Sequence, residues 1–295
     1  MAFIPYDDRD GFIWMDGDFV PWRESKVHVL THGLHYASAV FEGERAYAGE
    51  IYRSRLHSER LHRSAGILDF EIPFTIDQIE DAKREALAKS GLENAYVRAI
   101  AWRGSEEMGV LAMKNTVHLA IAAWHWGDYF EDKMQGIRMT HAAYKRPSPE
   151  TAPCESKAAG LYMICTVSKQ KAHRQGYQDA LMLDWRGHVA EATGANIFFV
   201  QDGALHTPTP DCFLNGITRQ TAMRLAKARQ IDVVERTILP DELPNFSECF
   251  ITGTAAEITP VAEIGEHRYT PGEITHALVD DYDKLVHGKM TLDWT

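Results

Sequence analysis

Two periods of apolar and polar positions alternate along this 295-residue chain, and the switches between them mark its elements. Phe12-Ile13-Trp14-Met15 and Phe19-Val20-Pro21-Trp22 flank Asp16-Gly17, a pair suited to a tight turn, so residues 12–22 read as a β-hairpin. From Thr75 the period becomes helical. Gln78 completes a capping box, Ile76, Ile79, Ala82, Ala86 and Leu87 share one face, and Gly91 ends the run. Strands are predicted over 95–102 and 116–124, the second turning Val117, Leu119 and Ile121 inward. Residues 127–136 follow neither period and read as a connector, dividing a smaller part, 1–126, from a larger one, 137–295. In the larger part a strand leads into a Pro-rich loop (146–153) and a helix (158–176). Strands broken at Arg186-Gly187 and Asp202-Gly203 follow, then helices over 218–230 and 273–287. Helices and strands mix without strict alternation, which predicts an α+β fold.

Composition narrows the possibilities. Apolar residues make up 45% of the chain and charged ones 25%, as in a globular protein able to bury two cores. A net charge of −11 argues against nucleic acid or an anionic membrane surface as partners. With no apolar run of about 18 residues, no membrane span is expected. The acidic N-terminus lacks a signal core, and Cys154, Cys165, Cys212 and Cys249 are scattered without a C-x-x-C pair; both point to a reducing, cytoplasmic setting.

Several residues carry chemistry. Lys157 lies among small residues between the Pro-rich loop and an apolar helix, with room for a large ligand about its amine; a partly desolvated amine there is a usable nucleophile and base. Taken alone it would be read as a solvent-facing lysine at a helix start. Glu191, surrounded by small and apolar residues, needs a partner: a pyridinium nitrogen or a structural cation. Gly216-Ile217-Thr218-Arg219 opens a helix, where backbone N–H groups and a hydroxyl suit a phosphate. Gly253-Thr254-Ala255 after a strand could act likewise. Arg60 could clamp a phosphate or pair with Glu59 or Glu71. Together with the Tyr162 phenol, these are the parts that would hold a phosphorylated carbonyl cofactor. The aromatics Tyr36, Phe41, Tyr96, Trp126 and Tyr129 are core by default, but would also suit an apolar side-chain pocket. His28, His32 and His35 lack both a clean helical spacing and a nearby Cys, Asp or Glu to complete a metal shell, so no metal is expected.

In order along the chain, KVHVLTHGLHYASAVFEG, ERLHRSAGI, AYVRAIAWRGSEEMGV, SKAAGLY, VAEATGANIFFV, NGITR and TGTAAEITPV resemble the fold-type IV pyridoxal-phosphate enzymes, and within them the branched-chain amino acid aminotransferases. The resemblance implies two α/β domains with pyridoxal 5′-phosphate between them, the larger carrying the cofactor lysine. It implies that Lys157 holds the cofactor covalently and moves a proton between Cα and C4′, and that Glu191 holds the pyridine nitrogen and Tyr162 the ring oxygen. Arg60, Thr218, Thr254 and the Ile217 backbone would bind the phosphate, with Leu214 and Gly194 beside the ring. Tyr36, Phe41, Tyr96, Met108, Val110, Trp126 and Tyr129 would wall the substrate pocket. The α-carboxylate would lie near Tyr96 and the Thr254-Ala255 backbone, and Arg98 would meet the distal carboxylate of glutamate. Tyr36 and the Met108-Gly109-Val110 loop would come from a neighbouring subunit, implying a homodimer or higher homo-oligomer with shared active sites. The implied reaction is ping-pong transamination of leucine, isoleucine or valine with 2-oxoglutarate. D-amino acid and R-selective amine transaminases share the fold, and a metal-dependent hydrolase built on the three histidines is the rival from another class. Glu44 stands where the family usually has an apolar residue. Lying near the pocket motif, it is expected to bear on donor range.

Overall fold

The computed structural model describes residues 4–127, 129–130 and 133–294, and its elements are counted over those residues. Residues 128, 131 and 132 of the expected connector therefore lie outside the description. Of the rest, 133–135 form a single 3₁₀ turn.

The chain divides into two compact units. One holds Met1–Gly127 together with Ser156–Gly160, the other Asp128–Glu155 and Leu161–Thr295. The segment around Lys157, which its place in the sequence assigns to the larger part, thus belongs to the N-terminal unit. Its backbone explains why. Lys157 N donates to Ser64 Oγ at 3.0 Å, Phe41 N donates to Lys157 O at 3.2 Å, and Ala158 bridges to Val40.

The first unit is an antiparallel six-stranded sheet with three helices. Strands β1 (Phe12–Met15), β2 (Asp18–Pro21), β3 (Ala39–Tyr47), β4 (Glu50–Ile51), β5 (Ala95–Arg103) and β6 (Val117–His125) lie in the order β2-β1-β6-β5-β3-β4. The helices are α1 (His32–Tyr36), α2 (Ser54–Ile67) and α3 (Ile76–Ser90). The β1–β2 turn uses Asp16 and Gly17, both at positive φ, as the Asp-Gly pair predicts. Thr75 and Gln78 form the capping box of α3, and Gly91 closes it in the left-handed region. Ile79, Ala82 and Ala86 pack with Leu61, Val97, Leu119 and Ile121.

The nine-residue strand β3, mostly buried, has no clear period in the sequence, because its inward positions include two carboxylates. Val40, Glu42, Glu44 and Ala46 alternate with Phe41, Gly43, Arg45 and Tyr47, and the two sets point to opposite faces. Glu42 and Glu44 contact α2 and α3, while Phe41 and Gly43 lie on the other face.

The second unit is a mixed nine-stranded sheet with helices α4 (Tyr162–Arg174), α5 (Ile217–Ala228) and α6 (Glu273–Val286). Its strands are β7 (Ile137–His141), β8 (Asp179–Leu183), β9 (Val189–Ala192), β10 (Asn196–Gln201), β11 (Ala204–Pro208), β12 (Val233–Arg236), β13 (Glu248–Gly253), β14 (Glu257–Ile264) and β15 (His267–Arg268). The path β10-β13-β14-β7-β8-β9 returns to β10, because Glu191 on β9 pairs with Asn196. That closing contact lies at the candidate site. A 3₁₀ turn at Ala159–Leu161 precedes α4, so the helix expected from 158 begins at Tyr162. Among the described residues no helix is long and apolar enough to cross a membrane.

Candidate active site

In the first unit Lys157 is held by its backbone on two sides, by Ser64 and by Phe41, and its ammonium stands 5.0 Å from the Phe41 ring centre. The neighbouring Ser156 is buried and donates to Ser64 O at 3.0 Å, so the lysine's position is fixed by α2 and β3 together.

Arg60, buried on α2, pairs with Glu42. Its Nε and Nη2 donate to the two oxygens of Glu42 at 2.6 and 2.8 Å, and His57 Nδ1 meets the same carboxylate at 2.6 Å. Burial alone would raise the Glu42 carboxyl, but Arg60 and His57 outweigh it and hold it well below the usual carboxylate range. Sequence reasoning missed Glu42. The only signal was an acidic residue among strand formers.

Glu44 is a correction. It lies on the same helix-facing side as Glu42, fully buried, with Lys83 Nζ at 2.7 Å and the Ser54 hydroxyl at 3.1 Å. It therefore does not reach the face that carries the candidate pocket residues.

That opposite face gathers Phe41, Tyr96, Arg98 and Trp126. The Tyr96 ring lies 4.6 Å from Trp126 and 5.1 Å from Trp124. Arg98 Nη2 donates to Tyr96 Oη at 3.1 Å, and its guanidinium lies over the Phe41 ring at 4.7 Å. Arg98 Nε is buried without a hydrogen-bond partner among the described residues. Gly43 is required there, since a Cβ would come within 1.9 Å of Tyr96 Oη. Tyr36, Met108 and Val110, also in this unit, are exposed, Val110 at 88%.

The three histidines are engaged in local contacts. His32 Nε2 meets Gly109 O at 2.8 Å, His35 Nε2 meets Val29 O at 2.9 Å, and His28 Nδ1 accepts from Leu30 N at 3.1 Å. They fix α1 and the 104–116 loop instead of converging on one point.

In the second unit the strand closure supplies a carboxylate. Glu191 is buried on β9, with Arg146 Nε 3.4 Å from its Oε1 and Asn196 Nδ2 donating to Oε2 at 3.3 Å. Arg146 is itself buried against Cys212 O and Cys165 Sγ. Burial alone would lower its affinity for its proton; Glu191 first, then Cys165, Cys154 and Tyr162, more than offset this, and it stays charged. Neither Arg146 nor Asn196 was singled out from the sequence, because their partners are set by strand pairing and not by spacing.

Asn196 does more. Its Nδ2 donates to Leu214 O at 2.9 Å and its Oδ1 accepts from Gly216 N at 3.2 Å, so one side chain fixes both Glu191 and the 214–216 loop. A Cβ at Gly216 would sit 2.3 Å from Asn196 Oδ1, which excludes any other residue at that angle. Gly216 is the N-cap of α5 and offers no side-chain cap, so the first-turn N–H groups keep their capacity for an anion; Ile217, one residue earlier than expected, starts the helix, and Thr218 is buried in its first turn. Arg219 braces the loop through Asn215, Pro208 O and Glu235. Thr252, paired in register with Asn196, buries a hydroxyl without a partner among the described residues. Thr254 and Ala255 form the turn from β13 to β14, Gly194 lies exposed in the turn from β9 to β10, and Tyr162 is the first residue of α4. A fixed carboxylate, an uncapped helix start on the same asparagine and an orphaned hydroxyl fit a ligand carrying a protonated ring nitrogen and a phosphate. Tyr129 lies in this unit, with Lys169 Nζ donating to its phenol at 2.7 Å.

These features are those of a class IV aminotransferase, and residues 39–264 match the model of that family, amino-transferase class IV. The chain belongs to this family. It is 41% identical over 291 residues to the branched-chain-amino-acid aminotransferase of Pseudomonas aeruginosa, covering 96% of this chain and 95% of that relative. Among solved structures, the Escherichia coli branched-chain amino acid aminotransferase superposes with a TM-score of 0.93 at 35% identity, covering 97% and 98% of the two chains. A T.th. branched-chain amino acid aminotransferase complexed with N-(5′-phosphopyridoxyl)-L-glutamate gives 0.91 at 36% identity, with 96% of each covered.

Proposed function

We propose that this chain is a pyridoxal-phosphate-dependent transaminase that moves the amino group of leucine, isoleucine or valine to 2-oxoglutarate, giving the 2-oxo acids and L-glutamate. The observation that carries this reading is Asn196: one asparagine fixes both the carboxylate suited to a ring nitrogen and the loop that opens an anion-binding helix. When bound, pyridoxal phosphate supplies an electron sink that makes the substrate Cα proton acidic.

The chain's own residues do the rest. Lys157 would hold the cofactor through its amine and, once displaced by the substrate's amine, would take the proton from Cα and deliver it to C4′. Glu191, held by Arg146 and Asn196, keeps the ring nitrogen protonated, and Tyr162 hydrogen-bonds the ring oxygen. Arg60, Thr218, Thr254 and the Ile217 N–H bind the phosphate, with Leu214 and Gly194 beside the ring. Phe41, Tyr96, Trp126 and Tyr129 bound the side-chain pocket, and the α-carboxylate is held by Tyr96 and the Thr254-Ala255 backbone. Arg98, whose Nε has no partner among the described residues, meets the distal carboxylate of the acidic substrate. One pocket then takes apolar and acidic substrates in turn.

The active form in this reading is a homodimer or larger homo-oligomer in which Tyr36, Met108 and Val110 complete a neighbour's pocket, supported by their exposure on a surface that includes Leu34, Leu111 and Met113. Four unpaired cysteines fit a cytoplasmic setting.

The test is the visible absorption spectrum of the protein purified with pyridoxal phosphate, before and after L-leucine, with D-alanine as control. A cofactor band bleached by L-leucine alone is expected. A band answering only to D-alanine would replace this reading with a D-amino acid enzyme, and no band at all would remove the cofactor from the account.

A further inference from the structure

Lys169 takes no part in the proposed reaction, yet its amine is held by two partners. It lies seven residues after Tyr162, two turns along the same face of α4. Its Nζ donates to Tyr129 Oη at 2.7 Å and to Asp179 Oδ2 at 3.1 Å, and stands over the rings of Tyr129 and Phe130 at 4.7 and 5.4 Å. Asp179 in turn is buried at the start of β8. Its Oδ1 accepts from Thr193 Oγ1 at 2.5 Å, from Thr193 N at 3.3 Å and from Ala180 N at 2.8 Å. The ammonium therefore has a fixed address, set by a carboxylate that the 193 turn and β8 hold in place. Burial alone would lower the Lys169 pKa, but Asp179 and then Tyr129 outweigh it and keep the amine charged.

An ammonium has three donors and no acceptor, so at 2.7 Å the phenol oxygen can only accept from it. The phenol's own proton is then directed at some other acceptor, and accepting from a cation makes that O–H the stronger donor. We infer that Lys169 is a specificity-determining residue: by holding and polarising Tyr129 it makes the phenol a donor to the distal carboxylate of glutamate and 2-oxoglutarate, and so favours the acidic substrate over the branched-chain one. This rests on the proposed function, in which Tyr129 bounds the substrate pocket.

The experiment uses the full-length holoenzyme and compares wild type, Lys169→Met, Lys169→Arg, Tyr129→Phe and the Lys169→Met/Tyr129→Phe double variant. Half-reactions with L-glutamate and L-leucine are followed by cofactor absorbance, and the binding of unreactive glutarate and 4-methylpentanoate is measured alongside. Lys169→Met is expected to lower the glutamate-to-leucine ratio of kcat/KM about tenfold, or ~1.4 kcal/mol, and to weaken glutarate far more than 4-methylpentanoate. Tyr129→Phe should do the same, the double variant no more than either, and Lys169→Arg should restore much of the ratio. Equal losses for both substrates, or additive effects in the double variant, would overturn the inference, since a lysine that only braces the fold acts on both alike. Lys169→Met strands the buried Asp179 carboxylate and could fail to fold. Tyr129→Phe leaves that ion pair intact, and an unchanged ratio in this variant is equally fatal. A wild-type protein without either half-reaction overturns the proposed function as well, whereas a normal wild type with unchanged variant ratios overturns only the role of Lys169.

Discussion

At the scale of single residues the pocket face depends on what is absent. Gly43 leaves the space into which Tyr96 Oη extends, and Arg98 hydrogen-bonds that same oxygen. Gly43→Ala is expected to displace both side chains, lowering kcat/KM for leucine and glutamate by about tenfold or more, while overpacking costs roughly 1–3 kcal/mol of stability. Steady-state kinetics beside a urea titration would separate the two effects, and unchanged kinetics would mean that Tyr96 has no part in binding. Glu191→Gln makes the complementary case. It keeps the shape and the Asn196 and Arg146 contacts but removes the charge that the ring nitrogen needs. The leucine half-reaction should slow by about a hundredfold or more, within the range general for acid–base groups, with cofactor still bound by absorbance; a normal rate would make the carboxylate structural. Lys157 and Glu191 could be singled out in the sequence because their types stand out against small or apolar neighbours, whereas Tyr96 was core by default and Arg98 entered only through the resemblance. Asn196, Arg146 and Gly43 could not. Their roles come from what β-pairing places opposite them, such as Asn196 across from Glu191, and no local spacing carries that information.

At the scale of elements, β3 shows how a helix-facing strand edge can be built from charge. The helix at 76–90 and the hairpin at 12–21 were readable from period and turn chemistry, whereas β3 and α2 were obscured by Glu42, Glu44, Arg60 and Lys83 at buried positions. The two carboxylates respond to acid in opposite senses. Arg60 and His57 hold Glu42 below its ordinary 4.5, overcoming burial, so below that pH the unfolded chain takes up the proton first and the stability Glu42 provides is lost as pH falls further. Burial raises Glu44 despite Lys83, so its contribution is present below 4.5 and is lost as pH climbs through the raised value. Melting temperatures from pH 6 down to pH 3 should therefore fall more gently for Glu42→Gln than for wild type, and a parallel acid limb would remove the Glu42–Arg60 pair from the account. Glu44→Leu, which leaves the buried Lys83 with Glu80 as its carboxylate partner, should cost about 3–5 kcal/mol in a urea titration. Its glutamate-to-leucine ratio should stay at the wild-type value, because the side chain lies on the face turned away from Phe41, Tyr96 and Arg98; a shifted ratio would return Glu44 to the question of donor range.

For the whole molecule the decisive feature is an apolar surface that the chain does not cover by itself. Val29, Leu34, Val110, Leu111 and Met113 are all more than three-fifths exposed. They form one surface, because His32 ties α1 to the 104–116 loop through its own N–H to Gly104 O and its Nε2 to Gly109 O, both at 2.8 Å. Such an area on a protein of net charge −11 is the surface that the proposed homodimer would cover. Tyr36 and Met108 are also exposed, and the proposed function has them complete a neighbour's pocket. The candidate lysine shows a related point at the same scale. Lys157 belongs to the N-terminal unit and Tyr162, five residues on, to the other, a division that contiguity along the sequence concealed. Shared sites make a strong demand on mixtures of inactive chains. Lys157→Ala should be inactive while still binding the cofactor non-covalently, and a chain with Tyr36→Ala and Met108→Ala should be nearly so with its lysine intact. Unfolded together in equal amounts and refolded with pyridoxal phosphate, the two should recover activity at about a quarter of the wild-type level, because half of the dimers are mixed and each mixed dimer has one complete site. Size-exclusion chromatography with light scattering would report the dimer itself. A dimeric mixture that stays inactive would mean that Tyr36 and Met108 serve their own chain's pocket or none.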